Sequence, residues 1–167
     1  MSWWKPSNPD EIKPGVWMHP AAVLYLESLL EPDMKVVEHG CGGSTLWFAE
    51  RVKEVHSYDA NGAWRDKLGK IKPENVSLEN SIPAIDYDLL FIDGKNEDRP
   101  KWIKNAHKLL KHGGIVVIDN SNRPHYHKAM KDLGVFCHMP TMIGAFTNSG
   151  KYVETAFYRL KGGTDWI

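Results

Sequence analysis

The segment Lys35-Val-Val-Glu38-His39-Gly40-Cys41-Gly42-Gly43-Ser44-Thr45 constrains this chain more than any other stretch. An apolar run closes on an acidic residue, a glycine-rich turn follows, and a helical pattern begins directly afterwards. Glycine lets the main chain turn tightly and approach a ligand with no Cβ in the way. The helix that follows directs its free N–H groups toward the same space. Strand, glycine turn and helix in that order suit a nucleotide-type cofactor.

Two cofactor classes compete for such a loop. A dinucleotide site wants G-x-G-x-x-G, with an acidic residue about 20 positions further on. Gly40 and Gly42 fit, but Thr45 stands where the third glycine belongs. Glu38, at the tip of the first strand, discriminates further. A carboxylate there repels a pyrophosphate and attracts the sulfonium and ammonium groups of S-adenosylmethionine (SAM). Asp59 follows Gly40 by 19 residues and closes the second apolar run, Glu54–Tyr58. A carboxylate at that point can accept both hydroxyls of a ribose. These residues favour SAM over NAD.

The chain at this point resembles a known family. Glu38-x-Gly40-x-Gly42-Gly43-Ser44-Thr45-Leu46-Trp47, followed by Val55-x-Ser57-Tyr58-Asp59 and Trp64, is similar to the class I SAM-dependent methyltransferases. The nearest likeness is to a small bacterial and phage subgroup with an E-x-G-x-G-G-S-T loop. It continues through Asp88–Gly94 and through Gly113–Asp119 with Asn120, Ser121 and Arg123, and ends in Glu154-Thr155-Ala156-Phe157. The resemblance implies a Rossmann-like, doubly wound α/β sheet of seven strands, mostly parallel with an antiparallel last strand, in a single domain.

Length and composition agree with one folding unit. The chain has 167 residues, 42% hydrophobic and 25% charged, near the average for globular proteins. An irregular N-terminal segment, 1–18, precedes the methyltransferase-like domain, 19–167. No apolar run approaches the roughly 20 residues that cross a bilayer. The N-terminus lacks a signal-peptide pattern and the two cysteines, Cys41 and Cys137, make no disulfide framework, so a cytoplasmic location is expected. Lys plus Arg equals Asp plus Glu at 21 each, which argues against a nucleic-acid partner.

Patterning alternates helix and strand, which predicts a mostly parallel sheet covered on both faces. Strands are expected at Lys35–Glu38, Glu54–Tyr58, Val76–Leu78, Tyr87–Ile92, Ile115–Ile118, Val135–His138 and Val153–Leu160. Helices are expected from Pro20, over Ser44–Arg51, around Gly62–Lys70, over Arg99–Leu110 with Gly113-Gly114 as terminator, and over Pro124–Leu133. Between the third and fourth strands only Glu79–Asp86 remain, too few for a crossover helix of about a dozen residues. A shortened wall there leaves the site open or lets a second subunit complete it.

Ligands of open α/β sheets bind beyond the carboxyl ends of the strands. The candidate cofactor residues at those ends are Glu38, Gly40, Gly42, Ser44, Asp59, Asn80 and Ser81, the last two placed to meet an adenine edge. Asp93 ends strand four, where the family has a residue near the methionine part or the acceptor. In the catechol O-methyltransferase type, an Asp after strand four and an Asp-Asn after strand five bind Mg²⁺. Asp93, Asp119 and Asn120 stand in that arrangement, so the partial resemblance implies a Mg²⁺ site; the alternative is that Asp119-Asn120 shapes a turn. Lys95 is a candidate base, one position earlier than the lysine of the metal-dependent type.

The resulting expectation is O-methylation of a small-molecule or saccharide-like acceptor. Two other readings stay open: a SAM- or S-adenosylhomocysteine (SAH)-binding protein without transferase activity, and an N-methyltransferase on a nucleotide or protein. Trp3, Trp4 and Trp17 in the irregular segment suit a lid or a subunit contact, so a homodimer or higher homo-oligomer is expected.

Overall fold

The computed structural model describes residues 11–81 and 86–162. Seven strands form one sheet: β1 Lys35–His39, β2 Glu54–Tyr58, β3 Val76–Glu79, β4 Tyr87–Ile92, β5 Leu110–Asp119, β6 Thr141–Phe146 and β7 Tyr152–Arg159. Their order is β3-β2-β1-β4-β5-β7-β6. The pairs among β1 to β5 are parallel, and β7 runs antiparallel to both β5 and β6. Among the described residues five α-helices accompany the sheet: α1 Pro20–Ser28, α2 Gly43–Ala49, α3 Gly62–Gly69, α4 Arg99–Asn105 and α5 His127–Gly134. The expected Rossmann-like architecture with its antiparallel last strand is the one observed. Of the expected irregular segment, residues 11–18 carry neither helix nor strand, and residues 1–10, Trp3 and Trp4 among them, lie outside the described residues. No helix among those described is long and apolar enough to cross a membrane.

The central strands are apolar without alternation because both of their faces are covered. Val37, Leu90, Ile92, Val116 and Ile118 face one core, with Ile103 of α4 and Met130 and Leu133 of α5. Val36, Leu89, Phe91 and Val117 face the other, with Leu26 of α1 and Trp47 and Phe48 of α2. Local chemistry sets the helix starts. Pro20 opens α1, where His19 accepts the Ala21 N–H at 3.2 Å, and Asn61 accepts the Trp64 N–H at the start of α3.

Three expected elements differ from those observed. The penultimate strand is Thr141–Phe146, not Val135–His138. Val135 caps α5 in helical geometry, and only Cys137 forms an isolated bridge, to Leu160. The true strand contains Gly144, where an added Cβ would collide with the Tyr152 hydroxyl, so the glycine marks close cross-strand packing. The helix expected over Arg99–Leu110 ends at Asn105 and tightens into a 3₁₀ turn at Ala106–Lys108. Gly113-Gly114 then lies inside β5. Tyr87 pairs with Leu110 and Leu89 with Ile115, so the residues between bulge outward, with Gly113 at φ 76°. The glycines shape a strand irregularity instead of terminating a helix.

The connection from β3 to β4 is short, as expected, although its residues 82–85 lie outside those described. At the opposite margin β6 forms the edge of the sheet. It carries no charged residue and exposes Met142 and Phe146.

Candidate functional site

The carboxyl ends of β1 and β4 approach each other unusually closely. A Cβ on Gly40, whose φ is +100°, would lie 2.6 Å from the Gly94 Cα. Asp93 N–H donates to the His39 carbonyl at 2.9 Å, and Gly40 N–H donates to the Tyr58 carbonyl at 2.7 Å. Three strand ends are thereby tied at one point. Gly42 serves a different contact: the Trp64 indole packs against it and donates to the Cys41 carbonyl. Residues 13–15 cross the start of α2. Gly15 N–H donates to the Gly43 carbonyl at 3.0 Å, and a Cβ on Gly43 would meet the Lys13 carbonyl at 2.5 Å.

Glu38 lies beneath this loop with no exposed surface. Its carboxyl receives the hydroxyls of Ser44, Thr45 (2.5 Å) and Ser57 (2.6 Å). The sequence placed Glu38 and Ser44 against the cofactor; here they hold each other, and Glu38 has no face turned outward. Thr45, which replaces the third glycine, also accepts the Gly42 N–H at 2.9 Å. Burial pushes the Glu38 carboxyl up to about 7, against the hydroxyl bonds that lower it and with a smaller upward push from Asp93.

Asp59 stands beside the loop at the end of β2. Its Oδ2 accepts the Cys41 N–H at 3.2 Å and its Oδ1 the Asn61 N–H at 2.8 Å. Arg65 of α3 donates to the Asp59 carbonyl and, at 2.9 Å, to Asn80 Oδ1. Asp59 and Asn80 therefore share one neighbourhood. Asn80 and Ser81 line a cavity of about 370 Å³ together with Tyr58, Asp98, Lys101 and Trp102. The rings of His39 and Trp102 stack at 4.6 Å, and Tyr58 and Trp102 lie 5.5 Å apart. His39 is almost wholly buried, and burial followed by the charge of Arg99 pushes it down to about 3, so it stays neutral. It belongs to the aromatic wall and is not a titrating base.

The expected metal set is brought together only in part. Asp93 and Asp119 are near neighbours, and their carboxyl groups influence each other's ionisation. Arg99, almost fully buried, fills the space between the ends of β4 and β5. Its Nε donates to the Gly94 carbonyl and its Nη2 to both the carbonyl and Oδ1 of Asp93, each at 2.7 Å; Nη1 donates to the Asp119 carbonyl at 2.8 Å. Thr155 donates to Asp119 Oδ1 at 3.2 Å. Asn120 adopts φ 54° and its carbonyl accepts the Arg123 N–H, which makes it a turn residue. Among the described residues no group of three or more His, Cys, Asp or Glu side chains is arranged to hold a metal ion. With the Arg99 guanidinium already on Asp93 Oδ1 and Asn120 shaping a turn, these residues do not fit a divalent cation, and the expected Mg²⁺ site is corrected on that ground.

Burial raises both Asp93 and Asp119, and each also responds to Arg99, which lowers it. Lys95 projects outward, 65% exposed, with Glu97 at 3.9 Å. Arg123 donates to Asn96 and, more weakly, to the Tyr126 hydroxyl. Burial pushes the Cys41 thiol up to about 12, which leaves it inert. A second cavity, about 690 Å³, lies between α5 and β7, lined by His127, Lys131, His138 and Tyr158, away from these strand ends.

Sequence reasoning missed Arg99 and Trp102 as site residues. Both read as ordinary members of a helix, the first at its start and the second on its apolar face. Their signal lies in three-dimensional proximity: Arg99 begins the helix that follows the Asp93-Gly94 strand end.

No protein-family model and no curated protein matches the chain. Solved structures do match in fold. The O-methyltransferase TomG of Streptomyces achromogenes, involved in tomaymycin synthesis and solved with SAM, aligns with TM-score 0.65 at 17% identity, over 84% of this chain and 78% of that one. The O-methyltransferase of Bacillus cereus, solved with SAH, aligns with TM-score 0.65 at 17% identity, over 86% and 82%. The N-methyltransferase NodS of Bradyrhizobium japonicum aligns with TM-score 0.67 at 16% identity, over 84% and 93%.

The raised Glu38 carboxyl makes a pH prediction. The folded state holds this proton up to about 7, whereas the unfolded group releases it near 4.5. The native state therefore binds more protons in that window, and stability falls as pH rises through it, by at most about 1.4 kcal/mol per pH unit. Denaturant unfolding at pH 5, 6 and 7 should show the wild type losing ground steadily to Glu38→Gln. A gap between the two that stays constant with pH contradicts the assignment. Taken together, the strand order and the structural neighbours identify a Rossmann-like fold of the kind seen in these solved methyltransferases.

Proposed function

We propose that this protein is a SAM-dependent methyltransferase acting on an oxygen of a small-molecule or saccharide-like acceptor. The observation that carries the reading is Asp59. Its carboxylate adjoins the glycine loop at Cys41, and Arg65 links its carbonyl to Asn80 on the lining of the 370 Å³ cavity. In this reading Asp59 accepts the ribose hydroxyls, and the Gly40–Gly42 backbone borders the methionine part. Asn80 and Ser81 meet the adenine edge beside Tyr58 and Trp102. Glu38 and Ser44 fix the loop's shape from below.

Methyl transfer is an in-line displacement. The acceptor oxygen forms a bond to the methyl carbon as the sulfur–carbon bond breaks, and that electron pair stays on sulfur to give SAH. The proton of the acceptor hydroxyl passes to a base. Asp93 is the candidate, because it ends β4 beside the glycine loop and keeps about a third of its side chain exposed. Lys95 is too far into solvent to compete for that role. The balance of 21 basic and 21 acidic residues supports a small acceptor over a nucleic acid.

The same reading includes self-assembly. The uncharged edge strand β6, with Phe146 73% exposed, is the surface that a second copy would cover. Sedimentation should give a dimer or larger particle for the wild type and a smaller one for Phe146→Lys; a monomeric wild type contradicts this. For the cofactor, calorimetry should detect SAM and SAH but not NAD. Asp59→Ala should weaken both adenosyl ligands by at least about tenfold, since a lost charged hydrogen bond costs roughly 1.5–3 kcal/mol. No adenosyl binding by folded wild type would overturn the proposal. Binding without turnover across a broad acceptor panel would favour a SAM-binding module.

A further inference from the structure

Arg99 is the one cation buried among the site's strand-end oxygens, among the described residues. Its guanidinium makes four hydrogen bonds of 2.7–2.8 Å to four different oxygens: the carbonyls of Asp93, Gly94 and Asp119, and Asp93 Oδ1. The side chain is 5% exposed, and the guanidinium carbon lies 5.8 Å from the Tyr126 ring centroid. The oxygens span the ends of two adjacent strands, where in the methyltransferase reading the acceptor meets the methyl group. Of the side-chain oxygens that a divalent cation would use here, Arg99 already holds Asp93 Oδ1, and its planar guanidinium sits between the two strand ends.

We infer that Arg99 is the site's resident cation, holding Asp93 toward the acceptor in place of a divalent metal, so that the reaction runs without one. The inference rests on the methyltransferase reading for its chemistry, while the absence of a metal site at these carboxylates is testable without it. Arg99 acts through Asp93 and is a positioning residue. Only a planar fork can reach all four oxygens; a lysine supplies the same charge from one point and reaches fewer. The β4 and β5 ends would then lose part of their tie, and Asp93 would be held less firmly.

The first arm titrates wild type with Mn²⁺ and follows free ion by electron paramagnetic resonance. The expected result is no stoichiometric site at micromolar concentration, with turnover unchanged in EDTA. A stoichiometric Mn²⁺ site that Asp93→Asn removes, or loss of turnover in EDTA restored by Mg²⁺, would overturn the inference. The second arm is Arg99→Lys, which keeps the charge and is checked for folding by circular dichroism. With Asp93 displaced by an ångström, kcat should fall on the order of 10²-fold while the Kd for SAM stays within about twofold. Wild-type kcat in this folded variant would overturn the positioning role. Failure of SAM to bind at all would sink the methyltransferase reading, yet the Mn²⁺ titration would still decide whether these carboxylates hold a metal.

Discussion

The approach of Gly40 to Gly94 is the contact on which the site depends. These residues leave adjacent parallel strands and pass at a distance that no side chain at position 40 could tolerate. Beside this contact the strand ladders continue, with the Asp93 N–H donating to the His39 carbonyl and the Gly40 N–H to that of Tyr58. The ends of β1, β2 and β4 are thereby locked into one floor. A left-handed glycine at position 40 is the local condition for this geometry. The glycine loop is thus a packing requirement before it is a binding device.

Two buried polar centres hold that floor from beneath. Glu38 gathers three hydroxyls, two from the first turn of α2 and one from β2. Arg99 gathers four oxygens from the ends of β4 and β5. Both side chains are ionisable groups removed from water, a placement that is costly unless each donor and acceptor is matched. Here the matching is extensive, and each centre ties a helix to the ends of two neighbouring strands. The cavity beside Tyr58, Asn80 and Trp102 opens next to this braced floor. Rigid support on one side and an accessible aromatic wall on the other are the conditions for orienting a cofactor.

Much of the architecture was legible in the sequence because the central strands are uninterrupted apolar runs with strong punctuation. Lys35–Glu38, Glu54–Tyr58 and Tyr87–Ile92 emerged within a residue of their observed bounds. The edge was harder. Thr141–Phe146 contains a glycine and little alternation, and its strand character comes from pairing with β7. Val135–His138 has the apolar composition of a strand but continues from the end of α5. At the site, single residues were found by position at strand ends, and their partners were not. Glu38 was read as facing a ligand because the hydroxyls of Ser44, Thr45 and Ser57 come together only on folding. The Asp93, Asp119 and Asn120 spacing suggested a metal because nothing in a linear reading shows that Arg99 occupies the gap.

The most direct test follows SAH binding residue by residue, by titrating isotope-labelled protein and recording amide and indole resonances. The account predicts shifts at Gly40, Cys41 and Gly42, at Asp59 to Asn61, at Asn80 and Ser81, and at the Trp102 indole. The residues around the α5–β7 cavity should remain unmoved. Shifts confined to that second cavity, or none at saturating SAH, would contradict the assignment of the strand-end loop as the cofactor site.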